Sequence, residues 1–241
     1  MKSGILLWEP ISVLIPVCNE VDVIKDVLDE WAIEILKLPP GSTVEFEDAN
    51  SRDGTLEILK SYSDKYEFVR VYERANRDGF SNAVKRLLKN AKNDWMFVAD
   101  SDGQYFASDI QFHLSKWKPG VEFVKGVKVN RQDGFWRRFL SFLINRFIVV
   151  YYGFPFLDYN SSHYLISKKL YKEIDPDSWF FSFSVNMEIT LRSILSNRSY
   201  EVVWVRHSKR RKGVSRGNPP HKFLAYGIRA YKDLTKLKKT F

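Results

Sequence analysis

One cysteine, Cys18, stands among 241 residues. No intrachain disulfide can form, no cysteine-based zinc site is available, and a reducing compartment is the natural inference. The four histidines, His113, His163, His207 and His221, show no ligand spacing and read as non-metal. The opening decapeptide, Met1 to Pro10, has neither a long apolar core nor a small-residue cleavage site, so no signal peptide is read. Long apolar runs are also missing. The longest apolar region, Phe139 to Leu157, is interrupted by Ser141, Asn145, Arg146, Gly153 and Pro155, which makes it a poor membrane span. Repeats and disordered composition are absent as well, which excludes fibrous and intrinsically disordered classes.

What remains is ordinary globular material with a basic excess. The chain is 44% hydrophobic, 15% aromatic and 28% charged, enough for the core of one large domain. Its formal net charge is +9, with much of the excess between Arg206 and Arg216 and between Lys232 and Lys239. A basic balance favours anionic partners: phosphorylated substrates, lipid headgroups or nucleic acid. No nucleic-acid motif is present, and acidic loops would repel a phosphate backbone, so nucleic acid ranks last.

Strand and helix signals alternate along the first hundred residues. Ile11 to Pro16 is a β-branched strand, and Val23, Val27, Leu28, Trp31, Ile35 and Leu36 recur at helical spacing after it. Asn19 or Asp22 is positioned to cap that helix, and Pro39-Pro40-Gly41 ends it. Thr43 to Asp48 and Phe68 to Tyr72 are two further strands, with a helix opening at Leu56 between them. Phe80 to Ala91 is a basic amphipathic helix, and Trp95 to Ala99 is a fourth strand. Strand–helix alternation implies a parallel sheet with crossover helices and a ligand site at the strands' carboxyl ends. Asn19-Glu20, Asp48 to Thr55, Asn76 to Gly79 and Asp100 to Gln104 all fall at such ends.

The last of these loops carries the sharpest chemistry. Asp100 and Asp102 are spaced i and i+2 at the end of an apolar strand, with Gly103 to turn the chain and Gln104 to add a neutral oxygen. That oxygen set suits a hard divalent ion such as Mg2+ or Mn2+, which would hold a substrate's phosphates. A strand followed by an ordinary Asp-Gly turn is the simpler alternative.

In combination these loops resemble family 2 glycosyltransferases with the GT-A fold, and among them the dolichyl- or polyprenyl-phosphate sugar synthases. Val13 to Glu20 resembles that family's opening strand and Pro-x-Tyr-Asn-Glu loop, with Cys18 where an aromatic is usual. Asp48 to Thr55 resembles Asp-Asp-Gly-Ser-Thr-Asp-Gly-Thr, with Ala49 in place of the second aspartate. Asp100-Ser101-Asp102-Gly103-Gln104 resembles the Asp-x-Asp metal motif. More loosely, Gly126-Val127-Lys128 stands where Gly-Ser-Arg is usual. Trp136 to Asn145 is similar to Arg-Lys-x-x-Ser-x-x-x-Asn, Asp158 to Leu165 to Asp-x-x-Ser-Gly-Phe, and Arg210 to Arg216 to Arg-Arg-Tyr-Gly-Glu-Ser-Lys.

The resemblance covers roughly residues 11 to 220. It implies a single α/β catalytic domain over 1–220, a mostly parallel sheet flanked by helices. The nucleotide-sugar half is about 1–105 and the acceptor half about 106–220; a basic tail with helical potential, 221–241, follows. It implies a nucleotide-sugar donor, Mg2+ or Mn2+ on Asp100, Asp102 and Gln104, and inverting sugar transfer to a polyprenyl phosphate. It assigns catalytic roles to Asp100, Asp102 and Asp158, and donor contacts to Pro16, Cys18, Glu20, Phe46, Asp48, Asp53 and Ser101. Lys128, Arg137 and Ser141 would bind the acceptor phosphate, with Arg131 and Arg138 nearby as competitors. Arg210 and Arg216 would clamp the donor diphosphate.

Each residue also has a structural reading. Glu20 can answer a helix dipole, Asp48 can cap a turn, Asp53 can hold its own loop, and single cations are often solvated. A hydroxyl acceptor would instead require a carboxylate base, with Asp158 and Glu188 the candidates. The Phe139 to Leu157 region, with Arg137, Arg138 and Arg146, suits an interfacial helix at a cytoplasmic membrane face, and the basic tail would add attraction to anionic lipid. A core helix with a solvated tail is the alternative. A protein that binds nucleotide sugar without turnover is the reading from outside the enzyme class.

Overall fold

The computed structural model describes residues 7–129, 135–155, 158–181, 184–209 and 223–240. β1 (Ile11–Val17), β2 (Thr43–Asp48), β3 (Val69–Glu73), β4 (Trp95–Val98), β5 (Val121–Val129), β6 (Tyr164–Ser167) and β7 (Ser199–Arg206) form one sheet, ordered β3-β2-β1-β4-β6-β5-β7. β1 pairs in parallel with both β2 and β4, and β2 in parallel with β3. β6 runs antiparallel to β4 and β5, while β5 and β7 are parallel. Among the described strands only β6 therefore runs against the rest. The carboxyl ends of β4, β5 and β7 and the amino end of β6 all open on one edge of the sheet.

Burial on both faces explains the strand composition. Every residue of β1 is buried, and the period-two alternation sends them to opposite layers. Val13, Ile15 and Val17 pack with Ile24, Leu28 and Trp31 of α1 (Val21–Glu34), Leu59 of α2 (Thr55–Lys65) and Ile110 of α4 (Ile110–Lys116). On the other face Leu14, Met96 and Val98 meet Val84, Leu87 and Leu88 of α3 (Phe80–Asn90). Leu170 of α6 (Lys168–Glu173) and Val185 and Ile189 of α7 (Val185–Leu195) complete that layer. α1 leads from β1 to one side and α3 brings the chain back to β4 on the other. The strand order thus reverses between β1 and β4, and a reversal of this kind opens a crevice at the carboxyl ends.

The two remaining helices form a further layer. α5 (Phe135–Tyr152) and α8 (Phe223–Lys238) pack Ile144 and Ile148 against Ala230, Leu234 and Leu237, over Leu191 of α7. The Tyr152 hydroxyl donates to the Leu234 carbonyl at 2.5 Å, and Lys236 Nζ lies 4.0 Å from the Phe180 ring centroid. The opposite side of α5 is not covered: Phe135, Phe139, Phe142, Leu143 and Val150 are exposed. No helix among the described residues is long and apolar enough to cross a membrane.

The first helix start corrects one expectation. Neither Asn19 nor Asp22 caps α1, whose N-cap position is Glu20 without a side-chain cap. The Val21 N–H donates instead to Asp53 Oδ2 at 3.3 Å, from a loop 32 positions away. Asn19 is in the left-handed region (φ 54°), and its Oδ1 accepts from the Arg52 N–H at 2.8 Å.

An ion pair with a buried carboxylate secures α3 to β2. Glu47 on β2 is 1% exposed, and Arg86 on α3 donates to its Oε1 from Nε at 3.0 Å and from NH2 at 2.6 Å. The same guanidinium holds Asp78, in the loop before α3, at 2.5 Å. Asp78 is thereby kept below the usual carboxylate range and the arginine above its own. Arg86→Met keeps the stem that packs on the helix but leaves Glu47 without its main counter-charge. We expect a loss of about 3 kcal/mol, read as a lower urea midpoint at unchanged slope.

Candidate active site

The loops after β1 and β2 are knitted to each other by hydrogen bonds. The Asn19 N–H donates to Ser51 Oγ at 2.8 Å and the Glu20 N–H to Thr55 Oγ1 at 2.9 Å. Asp53 accepts at Oδ1 from the Thr55 hydroxyl at 2.6 Å and from its N–H at 3.1 Å, so this carboxylate is occupied in closing the loop. Those hydrogen bonds outweigh burial and lower its pKa. Asp48 is wholly buried. Its Oδ2 accepts from the Ser51 N–H at 2.9 Å, while its Oδ1 accepts no hydrogen bond among the described residues. A buried carboxylate oxygen with spare acceptor capacity is uncommon and calls for a donor. Cys18 is half-buried, its thiol 3.5 Å from the Ala49 carbonyl, and Glu20 is half-buried beside it. Pro16 and Phe46 are buried within β1 and β2, and Phe46 is fully enclosed in the core. Phe46 is therefore core packing rather than a wall for a ligand.

The loop after β4 continues the sheet by one bond, from the Ala99 N–H to the Leu14 carbonyl at 3.1 Å. Asp100 and Asp102 then stand half-buried, with Ser101 buried between them. Gly103 takes a left-handed conformation (φ 68°), which returns the Gln104 N–H to Asp102 Oδ1 at 3.1 Å. Gln104 Nε2 donates to the Ser208 carbonyl at 3.1 Å, which ties this loop to the end of β7. A second tie follows: Arg206 donates to buried Asp109 from Nε at 2.8 Å and stacks over Phe106 at 4.4 Å.

Residues of β5 and of the segment before β6 meet the same loop from the other side. The Ser162 hydroxyl, just before β6, donates to Asp100 Oδ2. Tyr105 stacks on His163 with centroids 4.3 Å apart and receives His207 edge-on at 5.3 Å. Lys128, near the end of β5, places its Nζ 5.6 Å from the Tyr105 centroid. Asp158 is buried in the turn before β6. Burial pushes His163 well below the usual imidazole range and His113 down to about 4, so both rings are neutral at pH 7. β5 and β6 approach so closely here that a Cβ on Gly126 would lie 2.7 Å from the His163 carbonyl oxygen and 2.9 Å from His113 Nε2. Only glycine fits at that position.

Other candidates fall elsewhere. Glu188 is fully buried and accepts from the Phe180 and Phe181 N–H groups at 2.9 and 2.8 Å and from Arg192 Nε at 3.1 Å. Both of its carboxylate oxygens are engaged, holding α7 to the 180–181 segment and to Arg192. Ser141 is half-buried on α5, 3.5 Å from Asn145 Nδ2. Arg131, Arg210 and Arg216 lie outside the described residues, as does the side chain of Arg137. Tyr105, Ser162, His163, His207 and Lys125 are brought to this edge without having been singled out as site residues. The one available signal was their proximity in sequence to Gln104, Asp158, Arg210 and Lys128.

The donor set at this turn has the chemistry of a hard-cation site. Two half-buried carboxylates and one amide carbonyl oxygen on a single turn fit Mg2+ or Mn2+, which take one or two carboxylates and complete their shell with water and phosphate. Among the described residues no three His, Cys, Asp or Glu side chains gather into a metal-holding group. The remaining ligands would have to come from the substrate.

Known proteins share this architecture. The glycosyl transferase family 2 model matches residues 12–190. The chain is 27% identical over 136 residues to the undecaprenyl-phosphate 4-deoxy-4-formamido-L-arabinose transferase of Pseudomonas aeruginosa (strain LESB58), a stretch that is 56% of this chain and 40% of that protein. It is 34% identical over 108 residues to the poly(ribitol-phosphate) beta-glucosyltransferase of Bacillus spizizenii, covering 44% of this chain and 16% of the other. These matches span less than half the length of either relative. Among solved structures, glucosyl-3-phosphoglycerate synthase from Mycobacterium tuberculosis, in complex with Mn2+, UDP-glucose and glycerol 3-phosphate, superposes with a TM-score of 0.71. It is 19% identical and covers 95% of this chain and 79% of its own. Mannosyl-3-phosphoglycerate synthase from Rubrobacter xylanophilus gives 0.66 at 15% identity, covering 96% and 74%. The sheet with its one reversed strand among the described residues is thus a GT-A sheet, and with the family model matched over more than half its length the chain belongs to glycosyl transferase family 2.

Proposed function

We propose that this enzyme moves a sugar, with inversion, from a nucleotide-sugar donor to a polyprenyl phosphate, using a divalent metal at the cytoplasmic face of a membrane. The observation that carries the lipid acceptor is the exposed apolar side of α5. Phe135, Phe139, Phe142, Leu143 and Val150 stand in solvent on the helix that follows the strand bearing Lys128. Between α5 and α8 runs an apolar groove of about 540 Å³, lined by residues that include Phe139, Leu143, Ile228 and Tyr231. Arg138 and Arg146 on α5 and Lys232, Lys236, Lys238 and Lys239 on and beyond α8 supply charge for anionic headgroups. The undecaprenyl-phosphate transferases among the relatives support the same acceptor class.

The reaction follows from the charges at the edge. A phosphate monoester oxygen is already nucleophilic near pH 7, so no proton need be removed from it. It attacks the anomeric carbon from the side opposite the diphosphate. The new carbon–oxygen bond forms as the bond to the diphosphate breaks, and the nucleoside diphosphate departs with the electron pair. Lys128 would orient the acceptor phosphate, with Ser141 and the Arg137 side chain as further candidates. Asp100, Asp102 and Gln104 would hold the metal, which supplies neutralisation of the leaving diphosphate when bound. Asp48 Oδ1 would accept from a base N–H, with Glu20 and Cys18 bordering the donor and Arg210 and Arg216 on its diphosphate. A hydroxyl acceptor is the second reading. It is supported by buried Asp158, which together with Lys128 acts electrostatically on Tyr105, and by the poly(ribitol-phosphate) beta-glucosyltransferase relative.

The test incubates the purified chain with Mg2+ or Mn2+, a panel of nucleotide sugars and undecaprenyl phosphate, and follows nucleoside diphosphate release. We expect one donor to support release that requires the lipid, and Asp102→Asn to reduce it at least about a hundredfold. Release that rises with a saccharide and not with the lipid would select the second reading. For the membrane face, the chain should sediment with anionic vesicles. Replacing Phe139 and Phe142 by aspartate should weaken that binding at least about tenfold, from the loss of buried apolar area.

A further inference from the structure

Lys125 is the least expected residue in the sheet. It lies in the middle of β5, between β6 and β7, and is 0% exposed. A lysine there gives up the hydration of its ammonium, and an apolar side chain would fill the position at lower cost. The ammonium is not idle. It donates to the Ser161 carbonyl, lies 3.4 Å from the Tyr159 carbonyl, and faces the Tyr164 ring at 5.0 Å. Both carbonyls belong to the turn before β6. Asp158 opens that turn and Ser162 follows it, with the Ser162 hydroxyl on Asp100.

We propose that Lys125 is a positioning residue for glycosyl transfer: it clamps the 158–162 turn from beneath, so that Ser162 stays on Asp100 and Asp158 is held at a fixed place beside the acceptor. The inference rests on the reading that this edge is the active site. Lys125 touches neither donor nor acceptor. Its effect passes through the main chain of the turn.

The electrostatics agree with the geometry. Burial brings the Lys125 ammonium down to about 7, against the pull of Asp158 and Asp100 and with the push of Lys128. The other groups around it are His163 and Tyr164 at the start of β6, His113 from α4, and Tyr105 and Tyr159. The two histidines are neutral near pH 7, and burial raises the pKa of each of the three phenols. The sign of the linkage is distinctive. The folded-state value lies below that of a free lysine, so this group's contribution to stability grows as pH rises from about 7 toward 10.5. The clamping form is the ammonium, with three N–H donors and the charge, so turnover falls as pH rises through about 7, where the stability gain begins. A lysine that served only the fold would give no decline in turnover where stability improves.

The test compares Lys125→Met, Lys125→Arg and Asp102→Asn in the full chain. It uses the undecaprenyl phosphate assay with the most active nucleotide sugar, a pH series, thermal unfolding, and amide hydrogen exchange. We expect Lys125→Met to lower kcat at least tenfold and raise the acceptor KM, with the donor KM within twofold of the parent. Its amides at Ser162 and His163 should exchange at least tenfold faster, while those of β1 and β2 are unchanged. Lys125→Arg should restore turnover and remove the alkaline decline. Should Lys125→Met not fold, the parent and Lys125→Arg pH profiles decide: a shared alkaline decline overturns the proposal. Parent-like turnover or parent-like exchange at Ser162 and His163 in Lys125→Met overturns it as well. If Asp102→Asn leaves release unaltered, the site reading itself fails. If Asp102→Asn abolishes release while Lys125→Met does not alter it, only the Lys125 inference falls.

Discussion

The hydrogen bond from Ser162 to Asp100 joins two halves of the molecule that are built by different rules. On one side, β1 to β4 are parallel strands with crossover helices, and their loops deliver acceptors: Asp48, Asp100 and Asp102. On the other, β5, β6 and β7 bring a reversed strand, a buried lysine and His163, which stacks on Tyr105 of the loop after β4. An aspartate pair at a strand end repels itself and its surroundings until something fixes its geometry. Here Ser162 steadies one carboxylate and the Gln104 N–H the other. The reversal of strand order beside β1 opens the crevice, and these contacts decide what chemistry stands in it.

Charge is distributed to match. The chain is basic overall, yet aspartates gather at the carboxyl ends of β2 and β4, and cations approach from β5. A nucleoside diphosphate and a phosphate acceptor are both anions. An edge lined only by carboxylates would repel them, and one lined only by cations would hold the departing diphosphate too well. On the proposed reading, a metal held by Asp100 and Asp102 would neutralise the diphosphate while Lys128 would orient the acceptor phosphate, which would resolve both constraints.

The parallel half was legible because its signals are local. β-branched strands and helical periodicity alternate within windows of ten to fifteen residues, and the polar loops fall between them. The aspartates at 48, 100 and 102 were legible for the same reason, since strand and turn alone place them at one edge. What escaped depends on contacts remote in sequence. The start of α1 is capped by Asp53 from a loop 32 residues on, which overrides the local choice of Asn19 or Asp22. β6 has four residues and finds its direction only through partners on both sides. Lys125 in a strand reads as a surface residue until β6 and β7 enclose it. Phe46 resembled a donor contact by motif position, but the alternation of β2 buries it in the core.

The claim on which the rest depends is that the edge holds diphosphate through a metal on Asp100 and Asp102. The direct measurement is calorimetric titration of the parent chain and of Asp100→Asn with a panel of nucleoside diphosphates, in the presence of Mn2+ and in its absence. The account predicts that one diphosphate binds the parent with Mn2+ and that its affinity falls at least about tenfold without the metal or in the variant. Equal affinity with and without Mn2+, unaltered by the substitution, would contradict it.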